Sequence, residues 1–285
     1  MTKRPRPCIL HQMSNDVLWI IENQVRENSY KELQEAVIKS GRDHVFINGD
    51  FKESVLDGIN SRAVIFNGGI ELAKIVKIKL ETKSCSPIVY CNFEKFLCSN
   101  YYSYFGEYLF NDYYAIVSLS ELKRKLFYYF GQFGKEALIF IRPNSGEKLF
   151  QAQLLDIIDF DKFYQQNKHL EHELMVISTP KTIIGEWRVV CSKEEIIDYS
   201  LYRYQGQVSK IRAAPPSVLE FAAKMLKIGY GADSVFCLDI CTDSDNNCHL
   251  LELTSFSSAG LYATDKNNIV EKVSQIVYKD FIIKI

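Results

Sequence analysis

The sequence predicts an α/β lobe built on a short, mostly parallel sheet, followed on the same continuous chain by an α+β lobe. Three observations carry this. Through the first third, short apolar runs alternate with amphipathic patterns of helix length, as expected of strands covered by crossover helices. An aromatic-dense stretch then interrupts that alternation. In the second half, apolar runs carry single charges, and the last two are joined by a polar, turn-rich connector that reads as an antiparallel hairpin.

Taken in order, 17–21 (VLWII) reads as a strand, 30–40 (YKELQEAVIKS) as an amphipathic helix ending at Gly41, and 44–47 as a second strand. A third strand at 63–66 (AVIF) is stopped by Asn67, Gly68 and Gly69. Residues 70–80 have helical spacing, and 88–90 close the series. This first lobe is assigned to 1–92. Residues 93–136 form an aromatic connector, in which Tyr101, Tyr102, Phe105, Phe127 and Tyr128 stand among others, with Lys123, Arg124 and Lys125 between them. Aromatics with basic residues could make a base-stacking platform. Their helical spacing instead predicts a pair of helices packing against the lobe junction. The second lobe is assigned to 137–285. It holds strands at 137–141, leading into Arg142 and Pro143, and at 174–178, stopped at Pro180. Further apolar runs at 185–191 and 196–202 precede a helix at 217–228 and the hairpin strands 235–241 and 249–253.

Composition bounds the function. The chain has 285 residues, 47% hydrophobic and 24% charged, with 34 Lys+Arg against 35 Asp+Glu and a net charge of -1. Wholesale disorder is excluded, and a balanced charge argues against a chain that coats nucleic acid or an anionic membrane. No run approaches the roughly 20 apolar residues of a membrane span, and 17–21 is too short for a signal-peptide core. The expected compartment is the cytoplasm, with no membrane partner. Of the 8 cysteines (Cys8, Cys85, Cys91, Cys98, Cys191, Cys237, Cys241, Cys248), none forms a CxxC pair. The nearest approach to a zinc set is Cys237, Cys241, Cys248 and His249. The strand pattern around it favours buried, reduced thiols.

The informative residues are charges that interrupt apolar strands. Asp239 lies inside 235–240 (VFCLDI) and Glu252 inside 250–253 (LLEL). A carboxylate there is costly without a cation or donors, and two on paired strands could converge on Mg²⁺, which prefers oxygen ligands. Arg142 ends a strand, Lys148 sits on a Gly-containing loop, and Arg188 interrupts another strand. Three cations and two carboxylates at strand ends compose a polyphosphate–metal site. Each alone reads more readily as an ordinary surface charge.

The second half resembles the ATP-grasp superfamily, specifically a compact clade found in bacteria and bacteriophages. The matching signatures are 140–143 (FIRP) with Lys148, 175–178 (MVIS) with Pro180, 186–188 (EWR), 200–202 (SLY), 235–240 and 251–265 (LELTSFSSAGLYATD). The resemblance covers 137–265 and implies an α+β ATP-grasp fold after the α/β lobe. It implies ATP and Mg²⁺ as cofactors, with Arg142, Lys148, Glu186 and Arg188 on the nucleotide. Val176, Ile177 and Ser178 become the hinge whose backbone reads adenine. Asp239, Glu252 and Thr254 become the metal set, Arg188 and Lys148 the catalytic cations, and Ser200, Tyr202 and Arg203 the substrate side.

The activity implied is an ADP-forming carboxylate–amine ligase working through an acyl phosphate on an amino acid, peptide or protein end. Lid closure would exclude water from such an intermediate. One departure stands out. The family motif Glu-x-Asn reads Glu252-x-Thr254 here, and a further Asn usual in the clade is Ser257. An ATP-binding protein with weak or no ligase activity, or a phosphotransferase on the same scaffold, therefore stands as the alternative. The Asn67-Gly68-Gly69 turn could face the acceptor.

Overall fold

Strand β1 (Val17–Glu22) is apolar at nearly every position because both of its faces are covered. In the computed structural model, which describes residues 16–23, 28–59, 62–81, 88–89 and 92–284, β1 lies between β2 (Asp43–Ile47) and β3 (Ala63–Asn67). With β4 (Ile88–Val89) they form a parallel sheet ordered β2-β1-β3-β4. Strand side chains alternate between faces. Val17, Trp19 and Ile21 therefore enter one core with α1 (Asn28–Lys39), while Leu18 and Ile20 enter another that includes Leu72 and Val76 of α2 (Ile70–Glu81). The basic start, Cys8, Cys85, Tyr90 and Cys91 lie outside the described residues.

The connector is not helical throughout. After α3 (Cys98–Phe105), residues Tyr114–Ser118 form a strand, β5, before α4 (Leu119–Arg124) and α5 (Leu126–Phe133). Its alternation is genuine but brief. Tyr114 and Ile116 pack on one core and Ala115 and Val117 on another, and the flanking aromatics mask that period of two in the sequence. Ser118 ends the strand by capping α4, its hydroxyl accepting the Glu121 N–H at 3.1 Å. Tyr101, Tyr102 and Phe105 are core residues, whereas Phe127 and Tyr128 are exposed.

Strand β5 is the edge of an antiparallel sheet ordered β5-β8-β6-β7, with β6 (Leu138–Pro143), β7 (Gln153–Asp156) and β8 (Leu174–Ser178). Helix α6 (Phe160–Gln166) covers it. The third sheet is ordered β11-β10-β9-β12-β13 and is antiparallel: β9 (Gly185–Ser192), β10 (Ile196–Tyr204), β11 (Gln207–Ile211), β12 (Val235–Thr242) and β13 (Cys248–Ser255). One face packs on α3 and α7 (Pro216–Lys227). The β12–β13 turn is closed by Asp243, which accepts the Asp245 and Asn247 N–H groups at 2.9 Å.

The C-terminal helix α8 (Lys266–Lys284) returns to the first lobe and fixes it. Trp19 donates its indole N–H to Ser274 at 3.0 Å, and Arg42 pairs with Glu271 at 2.6 Å. Among the described residues, no helix is long and apolar enough to cross a membrane. Cys98, Cys191, Cys237 and Cys241 are buried free thiols.

Candidate active site

The antiparallel register of the third sheet lines up Ser200 on β10, Arg188 on β9, Asp239 on β12 and Glu252 on β13. Neighbours in register point to the same face, so the charges interrupting separate apolar runs meet as one row. Arg188 Nε donates to Asp239 Oδ1 at 2.8 Å and Nη2 to Oδ2 at 2.6 Å. This bidentate pair satisfies a carboxylate with no solvent exposure. Arg188 Nη1 donates to the Gly260 carbonyl at 3.0 Å. Of a guanidinium's five N–H donors, that leaves one on each terminal nitrogen for an incoming oxyanion.

Glu252 is paired from the other sheet. Arg142, at the end of β6, donates to its Oε2 at 2.7 Å, so one ion pair bridges the two sheets. Thr254 donates its hydroxyl toward Asp239 Oδ2 at 3.2 Å and lies 3.4 Å from Glu252 Oε1. Burial pushes the Asp239 carboxyl up, against the pull of Arg188. Desolvation would raise the half-buried Glu252 as well, yet Arg142 and Arg188 hold it below the usual carboxylate range. Burial works against the charge on both guanidinium groups, yet Cys98 and Glu252 keep Arg142 well above its ordinary value and Asp239 does the same for Arg188.

Arg142, Lys148, Arg203, Glu252 and Thr254 line one cavity of about 470 Å³, closed on the first-lobe side by Ile70. Lys148 is in the left-handed region, at φ 54°, and makes no ion pair among the described residues. The loop that carries it is tethered on the side that precedes it. Asn144 caps the start of α3 through the Ser99 N–H at 2.8 Å, and Glu147 pairs with Lys74 of α2 at 2.7 Å.

The remaining sequence-derived residues divide. Glu186 is buried beside the cavity, accepting the Tyr202 hydroxyl at 2.8 Å and Arg203 Nη1 at 3.3 Å. The Tyr202 ring lies against Arg188, and burial pushes the Tyr202 phenol well up. Ser200 is fully buried. Its hydroxyl accepts the Ala263 N–H at 3.2 Å, so it holds the loop after β13 and is closed to a substrate. Val176, Ile177 and Ser178 are also fully buried, in the central strand of their sheet. Their backbone is in register with β5 on one side and β6 on the other. That backbone is already paired with both neighbouring strands. Ser257 is buried, and its carbonyl accepts the Gly68 N–H at 2.8 Å.

The Asn67-Gly68-Gly69 turn is likewise structural. Asn67 donates to the Phe256 carbonyl at 2.7 Å, and Gly69 donates its N–H to Glu22. A Cβ on Gly68 would lie 2.6 Å from Glu22 Cβ. Sequence reasoning missed two residues that touch this row, Gly260 and Tyr262. Neither type signals chemistry in isolation.

The sequence profile of an ATP-grasp domain family, the second family of its clade, matches residues 123–272. The chain belongs to this family. No curated protein sequence matches it. The solved structure of D-cycloserine synthetase DcsG is similar to this ATP-grasp chain at a TM-score of 0.65 and 11% identity, over 92% of this chain and 99% of that one. D-alanine–D-alanine ligase from Bacillus anthracis is similar at 0.61 and 12%, over 94% and 97%. The ATP-grasp ligase PsnB, complexed with a minimal precursor, is similar at 0.56 and 12%, over 92% and 99%. At such identities the likeness is one of fold, and it extends to the first lobe. An α/β lobe followed by an ATP-grasp fold is what the sequence led us to expect.

The residues expected to hold a metal, Asp239, Glu252 and Thr254, are all oxygen donors. Glu252 and Thr254 line the cavity, and the fully buried Asp239 stands behind them within hydrogen-bond reach of Thr254, a set of the hard donors that Mg²⁺ prefers. Among the described residues, no group of three or more His, Cys, Asp or Glu gathers around a metal-sized space. A cation there would keep several waters or take oxygens from its substrate.

Proposed function

We propose that this ATP-grasp chain is an ATP- and Mg²⁺-dependent carboxylate–amine ligase. It would form ADP and work through an acyl phosphate on an amino acid, a peptide or a protein end. The observation that carries this reading is the set of two ion pairs, Arg188–Asp239 and Arg142–Glu252, beside a cavity that also holds the cation Lys148. Phosphoryl transfer asks a protein mainly to position the reactants and neutralise charge. Two arginines preset by their carboxylate partners, with Lys148 beside them, would do both.

In this mechanism Arg142 and Lys148 hold the phosphate chain of ATP. The two uncommitted N–H donors of Arg188 receive the transferring phosphoryl oxygens, and Glu186 orients Tyr202 and Arg203 beside them. Arg203, half-exposed at the cavity edge, takes the acceptor carboxylate. Asp239, Glu252 and Thr254 would hold Mg²⁺, which when bound supplies neutralisation of the phosphate oxygens. The Lys148 loop, tethered to α2 through Glu147, excludes water from the acyl phosphate. The names of the similar structures, an amino-acid ligase and a ligase complexed with a precursor, favour an amino acid or a peptide as substrate. The buried free thiols suit a reducing cytoplasm.

One observation favours a second reading. Thr254 spends its hydroxyl on the two carboxylates, which would leave a weakly active or inactive ATP-binding protein, or a phosphotransferase. Incubation with ATP, Mg²⁺ and pooled amino acids and peptides separates these readings. The ligase releases ADP and phosphate with a ligated product, whereas a phosphotransferase leaves a stable phosphorylated one. Nucleotide binding without acceptor-dependent ADP release would reject the ligase.

A further inference from the structure

Residues 260–265, between the β13 turn and α8, carry a strained backbone position beside the site. Tyr262 sits at φ 45°, a conformation in which a bulky residue is a genuine outlier. Such strain persists only where the surroundings over-determine it. Lys266, 5% exposed, supplies that constraint. Its ammonium donates to the Tyr262 carbonyl at 2.7 Å and to the Thr264 carbonyl at 2.8 Å, and pairs with Glu32 of α1 at 3.2 Å. Three donors on one nitrogen meet three oxygens. The sheet holds the rest of the segment, with Asp265 donating its N–H to Asp198 at 3.1 Å and Ala263 to Ser200.

The strained residue has a task. Its ring stacks on Tyr202, with centroids 4.9 Å apart and planes at 11°. The Arg188 guanidinium lies 5.2 Å from its centroid. We infer that Lys266 is a positioning residue for Arg188. By gripping the Tyr262 and Thr264 carbonyls it keeps the segment in its strained form, so that the Tyr262 ring, the Gly260 carbonyl and Asp239 fix the guanidinium from three directions. Through Glu32, the same buried amine ties the first lobe to that arginine. This inference rests on the reading of Arg188 as the phosphoryl-side cation.

The test places 3-fluorotyrosine at position 262 and follows its fluorine resonance in the full chain. The resonance should be a single line in the wild type, and Lys266→Met should move it toward that of a solvent-exposed tyrosine. A resonance unmoved by Lys266→Met overturns the grip. Tyr262→Gly is the second variant, since glycine takes the left-handed backbone without strain. Relief of the strain offsets the lost ring stacking, so its unfolding midpoint should stay close to the wild type's, while kcat falls on the order of 10- to 100-fold with KM for ATP within about twofold. Loss of activity without loss of stability is a split that a merely structural tyrosine would not produce, and wild-type kcat in Tyr262→Gly overturns the positioning role. If the wild-type chain shows no turnover with any acceptor, the ligase reading fails separately, and the resonance still decides whether Lys266 grips the segment.

Discussion

Arg188→Met should be far more costly than the loss of an ordinary ion pair, and the structure says why. Exposed pairs contribute about 0–1 kcal/mol, because water competes for both partners. Here Asp239 has no solvent exposure and takes both of its strong bonds from Arg188, at 2.8 and 2.6 Å. Removing the arginine strands a buried carboxylate with only the Thr254 hydroxyl and a second carboxylate nearby. Breaking a buried pair from one side costs about 3–5 kcal/mol. The double variant Arg188→Met/Asp239→Leu removes the stranded charge and fills similar volume, so it should recover most of that loss. Urea unfolding without nucleotide measures both. Turnover supplies the contrast, because the double variant should be stable and inactive. A single variant as stable as the wild type, or a double variant no better than the single one, would refute the argument.

Three further outcomes follow from particular contacts. Lys148→Ala should leave the unfolding midpoint unchanged, since the lysine has no ion pair among the described residues. By calorimetry it should weaken ATP binding by roughly 10- to 100-fold, the value of one charge-assisted contact. Ser274→Ala removes the acceptor of the buried Trp19 indole and should cost about 1–3 kcal/mol in urea unfolding; no change would mean that water replaces the hydroxyl. Burial would raise the Asp243 carboxyl, but His249 and the turn N–H groups bring it down from 3.8 to about 2. A depressed carboxylate adds stability that is complete above its unfolded value and lost as pH falls through the folded one. The stability gap between wild type and Asp243→Ala should therefore be constant above pH ~5 and close towards pH ~2, as read by denaturant midpoints.

Legibility in the sequence followed the strength of the local signal. The strands of the first lobe show themselves as apolar runs because both faces of a parallel sheet are buried. Asp239 and Glu252 stand out for the complementary reason, as charges in runs that exclude charge. Strand β5 was hidden because its five residues sit among aromatics with helical spacing. The partners of Arg188 were hidden more deeply. Gly260 acts through its carbonyl, and Tyr262 through a backbone angle that no residue type announces. Lys266 reads as one more charge at a helix start until the fold buries it. The pairing of 174–178 was hidden for a topological reason: it looks like a strand followed by a Pro stop, and only the arrival of β5 makes it central and paired on both sides.

In the proposed reaction the phosphoryl group of ATP passes to a carboxylate. Oxygen-18 in the carboxylates of a pooled amino-acid and peptide substrate, with ATP and Mg²⁺, tests it most directly. An acyl phosphate attacked by an amine keeps the carboxylate's bridging oxygen on the phosphate, so mass spectrometry of the released phosphate should find one oxygen-18 per turnover. Unlabelled phosphate would mean that water is the acceptor, and AMP with pyrophosphate would mean adenylation; either result contradicts the account.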